Sequence, residues 1–217
     1  MSATTAAAGV DRRAFWLRRA HSLSGLVPVG VFMCVHLFEN ASAASGVTAA
    51  EHSRAFGETV EHINSMPFVD AMEIFGIWIP ILFHGILGMV IVFEGKPNVA
   101  THPHGRNWLY LMQRVTGILA FAFIVFHFMN FRARKEEFLQ SPYEDVHSAI
   151  TRYPWVLWVY VGGIASCVFH LANGLSGFLF TWGITVGERS KKLAGWACAG
   201  LGVAVFALGM KALFAFL

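Results

Sequence analysis

Four histidines sit alone in long apolar surroundings: His36, His84, His127 and His170. The last lies in Trp155–Phe180, a stretch of 26 residues without one charge. An imidazole can shuttle protons or ligate a metal, and either use would justify its cost in an apolar segment. A lone buried histidine is commonly just hydrogen-bonded to a backbone carbonyl. Four in succession, each costing on the order of 1 kcal/mol or more to insert, point to a shared purpose. A proton relay would want carboxylates between the histidines, whereas Glu39, Asp70 and Glu73 stand only at one rim.

The elements that must position these side chains are legible in composition and patterning. Of 217 residues, 56% are hydrophobic and 13% charged, against about 25% charged in a soluble domain, and the mean hydropathy is +0.55. Long uncharged runs alternate with short charged ones, as in a polytopic helical membrane protein. The short alternating segments of a membrane β-barrel are not seen. The fold class expected is all-α: a single bundle domain over 1–217 with five transmembrane helices at roughly 22–40, 70–93, 111–131, 154–182 and 193–216. Residues 1–14 read as a loose tail, and the apolar run after them as a span rather than a cleaved leader. Ala41–Pro67 is a polar connection with a short surface helix, and Gln140–Tyr153 a second polar connection. The third span is open to continuing through Arg132–Phe138, and Glu94–Pro97 and Gly187–Lys192 read as turns.

Five spans put the termini on opposite sides. With the N-terminus inside, the inner segments hold Arg12, Arg13, Arg18, Arg19, Lys96, Arg106, Arg114, Arg189, Lys191 and Lys192, which is 10 of 16 basic residues, but only 3 of 13 acids. The positive-inside rule therefore predicts a cytoplasmic N-terminus.

With that orientation, depth follows from the helical rise of about 1.5 Å per residue. His36 and His127 lie roughly 6–7 Å from the outer side, and His84 and His170 roughly 21–24 Å from it. The four thus form two level pairs, His36 with His127 and His84 with His170. Two imidazoles at one depth on different helices can take an iron from both faces of a porphyrin. Zinc wants three or four protein ligands, and two per level are too few. Two stacked b-type haems, with iron held by His36 and His127 and by His84 and His170, fit best.

Secondary candidates follow. Gly85, Gly88, Gly117, Gly162, Gly163, Gly174 and Gly177 near the histidines would allow close approach of helices or a flat ring. Haem propionates could be met by Arg19, His21, Ser22 and Arg114 on the inner side and by Arg132 on the outer side; each also suits plain interfacial anchoring. Cys34, Cys167 and Cys198 lack CxxC spacing and read as buried hydrophobes. His52, His62, His102, His104 and His147 fall in connections and read as solvent-facing, with His102 and His104 placed to touch a partner.

The stretches RRAHSLSGLVPVGVFMCVHLFEN, MPFVDAMEIFGIWIPILFHG, RNWLYLMQRVTG and FHLANGLSGFLFTWGIT resemble the dihaem cytochrome b membrane subunit of succinate dehydrogenases and related fumarate reductases, of the single-subunit, five-helix type. The resemblance runs from about Arg18 to Phe216. It implies that His36, His84, His127 and His170 are the axial ligands, with the pairing that depth gives independently. His84 and His170 would hold the proximal haem, His36 and His127 the distal one. It further implies a flavoprotein partner with FAD, an iron–sulfur partner with its clusters, both cytoplasmic, and a quinone, typically menaquinone, in a bacterial cytoplasmic membrane. No nucleic acid is expected. The function implied is electron transfer in a succinate:quinone oxidoreductase whose dicarboxylate site is on another chain, or in a quinol:fumarate reductase running the other way.

Some dihaem fumarate reductases carry a glutamate shortly before the fourth-helix ligand. Here that neighbourhood reads Ala165-Ser166-Cys167-Val168-Phe169, so a proton path of that kind is not expected. The quinone site should lie near a polar rim, with Glu39, Asp70 and Glu73 as outer candidates and Arg19, His21 and Ser22 as inner ones. A cytochrome b of a hydrogenase or formate dehydrogenase is the rival within redox proteins. A haem-free anchor or transporter would want discontinuous helices and buried carboxylates.

Overall fold

The computed structural model describes residues 11–96 and 98–217. Five helical rods in it are long and apolar enough to cross a membrane. The first, α1 (Arg12–Ala44), is a chain of helical pieces: regular Arg12–Ser24, a widened π segment Gly25–Gly30 containing Pro28, regular Val31–Asn40 and a tight 3-10 turn Ala41–Ala44. Helix α2 (Ala49–Asn64) lies outside the apolar spans. Then come α3 (Val69–Glu94), α4 (Gly105–Asn130), a second short outer helix α5 (Pro142–Thr151), α6 (Pro154–Thr181) and α7 (Glu188–Phe214).

The second and fourth spans fall within one residue of expectation. Three other boundaries differ. Instead of a loose tail to residue 14 and a span from 22, α1 begins at Arg12, where the Asp11 carboxylate accepts from the Arg13 and Ala14 N–H groups. Residues 1–10 of that tail, and Pro97 of the inner turn, lie outside the described residues. The third span starts at Gly105 rather than 111, and the fifth at Glu188 rather than 193, ending at Phe214. The physical reason is common to all three. Charge marks where a chain leaves hydrocarbon, but a helix continues through the headgroup region with its Arg and Lys stems reaching outward. After α4 the rod breaks at Phe131 and resumes as short turns, Arg132–Arg134 and Lys135–Phe138.

Packing explains the order. α6 pairs most extensively with α4 on one side and α7 on the other, and α1 meets α3 and α7. About a third of the apolar windows of α6 and α7 is buried, against 6% in the other three rods. Phe75, Phe83, Ile86, Trp158, Trp196 and Val203 face outward, as suits a lipid solvent rather than water.

The main core cluster is at the C-terminal end of α1, called the outer end after the orientation expected from the charge bias. There Phe56 and Val60 of α2, Val146 and Ile150 of α5, and Leu213 and Phe216 close over Leu37, Phe131 and Tyr160. α2 is started by a reciprocal cap: Glu51 N–H donates to Thr48 Oγ1, and the Glu51 carboxylate accepts from Thr48 and Val47 N–H groups at 3.0 and 2.9 Å. These bonds hold the Glu51 carboxyl below its ordinary range, the Val47 N–H foremost. Arg134 fastens α5 to the end of α4, donating to Asn130 O at 2.7 Å and to Asp145 at 3.2 Å.

The polar connections, the first of which carries the expected short helix, are thus part of the core. Two histidines expected to face solvent do not: His52 and His147 are half-buried beside Tyr143, and His147 Nδ1 donates to Phe216 O at 2.7 Å. His62, His102 and His104 are exposed as expected. Among the cysteines only Cys198 is fully buried; Cys34 and Cys167 are half-buried.

Candidate functional site

The four span histidines meet in the pairs that depth predicts. The His36 and His127 rings are 5.7 Å apart at 77°, and the His84 and His170 rings 6.0 Å apart at 84°. All four line one cavity of about 790 Å³ between the rods. They are half-exposed in the middle of their spans, because their open surface faces that cavity.

Each ring is held by what stands behind it. His84 Nδ1 lies 2.9 Å from the His21 carbonyl, and His170 Nδ1 lies 3.0 Å from the Gln113 carbonyl. A carbonyl only accepts, so both Nδ1 atoms carry the proton and both Nε2 atoms are left with a free lone pair. The Gln113 side chain returns a bond, Nε2 to His170 O at 3.0 Å, and accepts from Asn173 at 2.7 Å. His127 Nδ1 is 3.3 Å from the Tyr160 hydroxyl. Asn40 donates to the His36 carbonyl at 2.7 Å and stands 3.3–3.4 Å from both nitrogens of its ring.

Two glycines make the inner pair sterically feasible. A Cβ on Gly25 would fall within the His84 imidazole, and one on Gly117 would meet His170 Cε1 at 2.8 Å. Of the glycines singled out in the sequence, Gly117 has this role; Gly162 and Gly177 have open space beside them.

The other candidates divide by whether they reach the cavity. At the inner end, His21 stacks on His84 at 4.0 Å and 11°, and its buried Nε2 has no partner among the described residues. Arg114 donates to Gly95 O at 2.7 Å through one terminal nitrogen, while the other is buried and has no partner among the described residues. His21 and Arg114 both line the cavity. Arg19 and Ser22 do not: the Arg19 guanidinium lies over the rings of Phe15 and Trp182, and Ser22 accepts from Trp182 Nε1 at 3.1 Å. At the outer end, Glu39, Glu73 and Arg132 line the cavity. Arg132 is ion-paired to Glu73 and, at 3.3 Å, to Asp70, which also binds Lys135 at 2.8 Å. Asp70 itself is exposed.

Gln113, Tyr160, Asn40 and Gly25 escaped the sequence reading. A signal existed for Tyr160, an uncharged hydrogen-bonding residue inside an apolar run, whereas Gln113 and Asn40 stand beside the charged Arg114 and Glu39 near span ends. Tyr160 lies six residues from Pro154, about 9 Å deep by helical rise, which is close to the outer histidine level.

Five helices long and apolar enough to span a membrane, around a cavity with two levels of paired imidazoles, define a class: an integral-membrane bundle with room for a cofactor in its interior. Residues 98–209 match the family of succinate dehydrogenase/fumarate reductase transmembrane subunits. The chain is also 38% identical over 204 residues to the succinate dehydrogenase cytochrome b558 subunit of Bacillus subtilis (strain 168), covering 94% of this chain and 98% of that one. This protein belongs to the family of succinate dehydrogenase/fumarate reductase transmembrane subunits.

Proposed function

We propose that the chain is the haem-bearing membrane anchor of a succinate:quinone oxidoreductase. It would conduct electrons between a cytoplasmic iron–sulfur subunit, itself served by an FAD-bearing flavoprotein, and a membrane quinone, for which the resemblance implies menaquinone. The single observation that carries this reading is the two levels of facing histidines. Imidazole–metal bonds of about 2 Å on either side of one metal, as for zinc, place ring centres roughly 6 Å apart, which the 6.0 and 5.7 Å separations match. Each level offers a facing pair of imidazoles, a donor set that would suit haem iron, and at the inner level His21 lies stacked on His84.

His84 and His170 would hold the proximal haem b, and His36 and His127 the distal one. A bound haem supplies a one-electron ferric/ferrous couple. The chain's residues fix ring orientation through the carbonyls of His21 and Gln113, and keep bulk water out with the outer aromatic core. His21 Nε2 and the free Arg114 nitrogen suit a propionate at the inner end, whereas Arg19 and Ser22 are engaged with Trp182 and would act as anchors. The relative's name supports succinate oxidation as the direction, and the whole-length match stands against a hydrogenase or formate dehydrogenase type. A cytoplasmic N-terminus rests on the basic bias of the inner segments.

For the quinone we favour the outer rim, where Glu39, Glu73 and Arg132 border the cavity and Asp70 supports Arg132. The Arg132 guanidinium can donate to a quinone oxygen, and the Glu73 carboxylate, once it has taken up a proton from the aqueous side, can pass that proton to the reduced oxygen. Glu73→Gln should lower quinone reduction by about 10²-fold, the scale of a lost proton donor, with haem content and succinate oxidation by an artificial acceptor retained. Unchanged quinone turnover would remove Glu73 from the site. The reading as a whole is tested by haem quantification and a reduced-minus-oxidised spectrum of the purified protein. Two b haems per chain are expected, and fewer would refute it.

A further inference from the structure

The two inner imidazoles are fastened to backbone carbonyls, His84 to His21 and His170 to Gln113. His127 differs: its Nδ1 faces a side chain, the Tyr160 hydroxyl at 3.3 Å. We propose that Tyr160 is a positioning residue that sets the donor strength of His127 and thereby the redox potential of the distal haem. This inference rests on the bis-histidine reading above.

The proton assignment follows from ligation. An imidazole that gives one nitrogen's lone pair to iron keeps its proton on the other nitrogen. If His127 binds through Nε2, Nδ1 carries the proton and the Tyr160 oxygen must accept it. Such a bond orients the ring and raises its basicity as a ligand. A more basic ligand favours ferric over ferrous iron.

The surroundings make this bond durable. Tyr160 is 6% exposed. Its ring is met at right angles by Phe123 at 5.3 Å, and Phe126 and Phe131 stand 6.1 and 6.5 Å away. Gly163, one turn further along α6, lets Phe123 lie directly on the helix backbone. Phe131 in turn packs on Phe138 at 5.8 Å. Water is thereby kept from competing for the hydroxyl, and a hydrogen bond counts for more where water is excluded.

Tyr160→Phe removes the oxygen and little else. In the purified, haem-loaded protein it should leave two haems per chain. The distal potential should rise by about a tenfold change in the ferric/ferrous equilibrium, about 59 mV for one electron, while the proximal potential stays in place. Phe123→Leu, which loosens the packing but keeps the hydroxyl, should shift the distal potential by clearly less than Tyr160→Phe does. An unchanged or lowered distal potential in Tyr160→Phe would overturn the inference. So would an equal shift of both haems, loss of the distal haem, or a shift as large in Phe123→Leu. A wild-type protein with fewer than two haems would instead refute the underlying bis-histidine reading.

Discussion

At the scale of single residues, the site depends as much on what is missing beside the histidines as on the histidines. His170 occupies space that any side chain on Gly117 would claim, with its Cε1 at 2.8 Å and Nδ1 at 3.1 Å from a Cβ there. Gly117→Ala should therefore push His170 off its level and reduce the haem count from two to one per chain, the distal haem surviving. Retention of both would show that the inner imidazole can shift without losing its ligand geometry. The four histidines were legible because an imidazole in hydrocarbon is costly wherever it points. Gly25 was not, because a glycine's use depends on which neighbour approaches it, and only the fold brings His84 there. His21 was legible as a polar group at the inner rim, but its stacking on His84 was not, since two residues 63 apart in sequence share a level only through helix packing.

At the scale of elements, hydropathy located all five rods and misjudged the ends of three. The π segments Gly25–Gly30 and Ile74–Trp78 also escaped notice, although Pro28 lies within the first and Pro80 just beyond the second. A proline has no N–H to give, and a widened turn is one way for a helix to absorb that loss. The outer helices α2 and α5 show a different limit. Their polar composition suggested connections, whereas one face of each closes the outer core. The cap of α2 gives a test. Thr48→Ala should cost about 1 kcal/mol of local stability, seen as faster amide exchange across Ala49–Asn64. The Glu51 carboxyl titrates below its ordinary range in the folded state, so its contribution is present above the unfolded carboxyl pKa and lost as pH falls through the lowered one. Acid should therefore weaken protection of α2, after correction for intrinsic exchange, and Glu51→Gln should remove that dependence.

At the scale of the whole molecule, charge bias and histidine depth together predict one arrangement: N-terminus inside, one imidazole level near each face. His62 and His102 are both exposed and fall on opposite sides of it. A membrane-impermeant thiol reagent applied to intact cells should label His62→Cys and spare His102→Cys; the reverse pattern would invert the topology and exchange the inner and outer levels. Sequence carried this architecture because a bilayer imposes length, polarity and depth on each span separately. It could not carry the cavity's walls, which arise only where the five rods meet. The most direct test of the central claim is haem content in four single variants, His36→Ala, His84→Ala, His127→Ala and His170→Ala. The pairing predicts two classes of spectra: loss of one haem shared by His36→Ala and His127→Ala, and loss of the other shared by His84→Ala and His170→Ala. Four different spectra, or both haems surviving in any one variant, would contradict it.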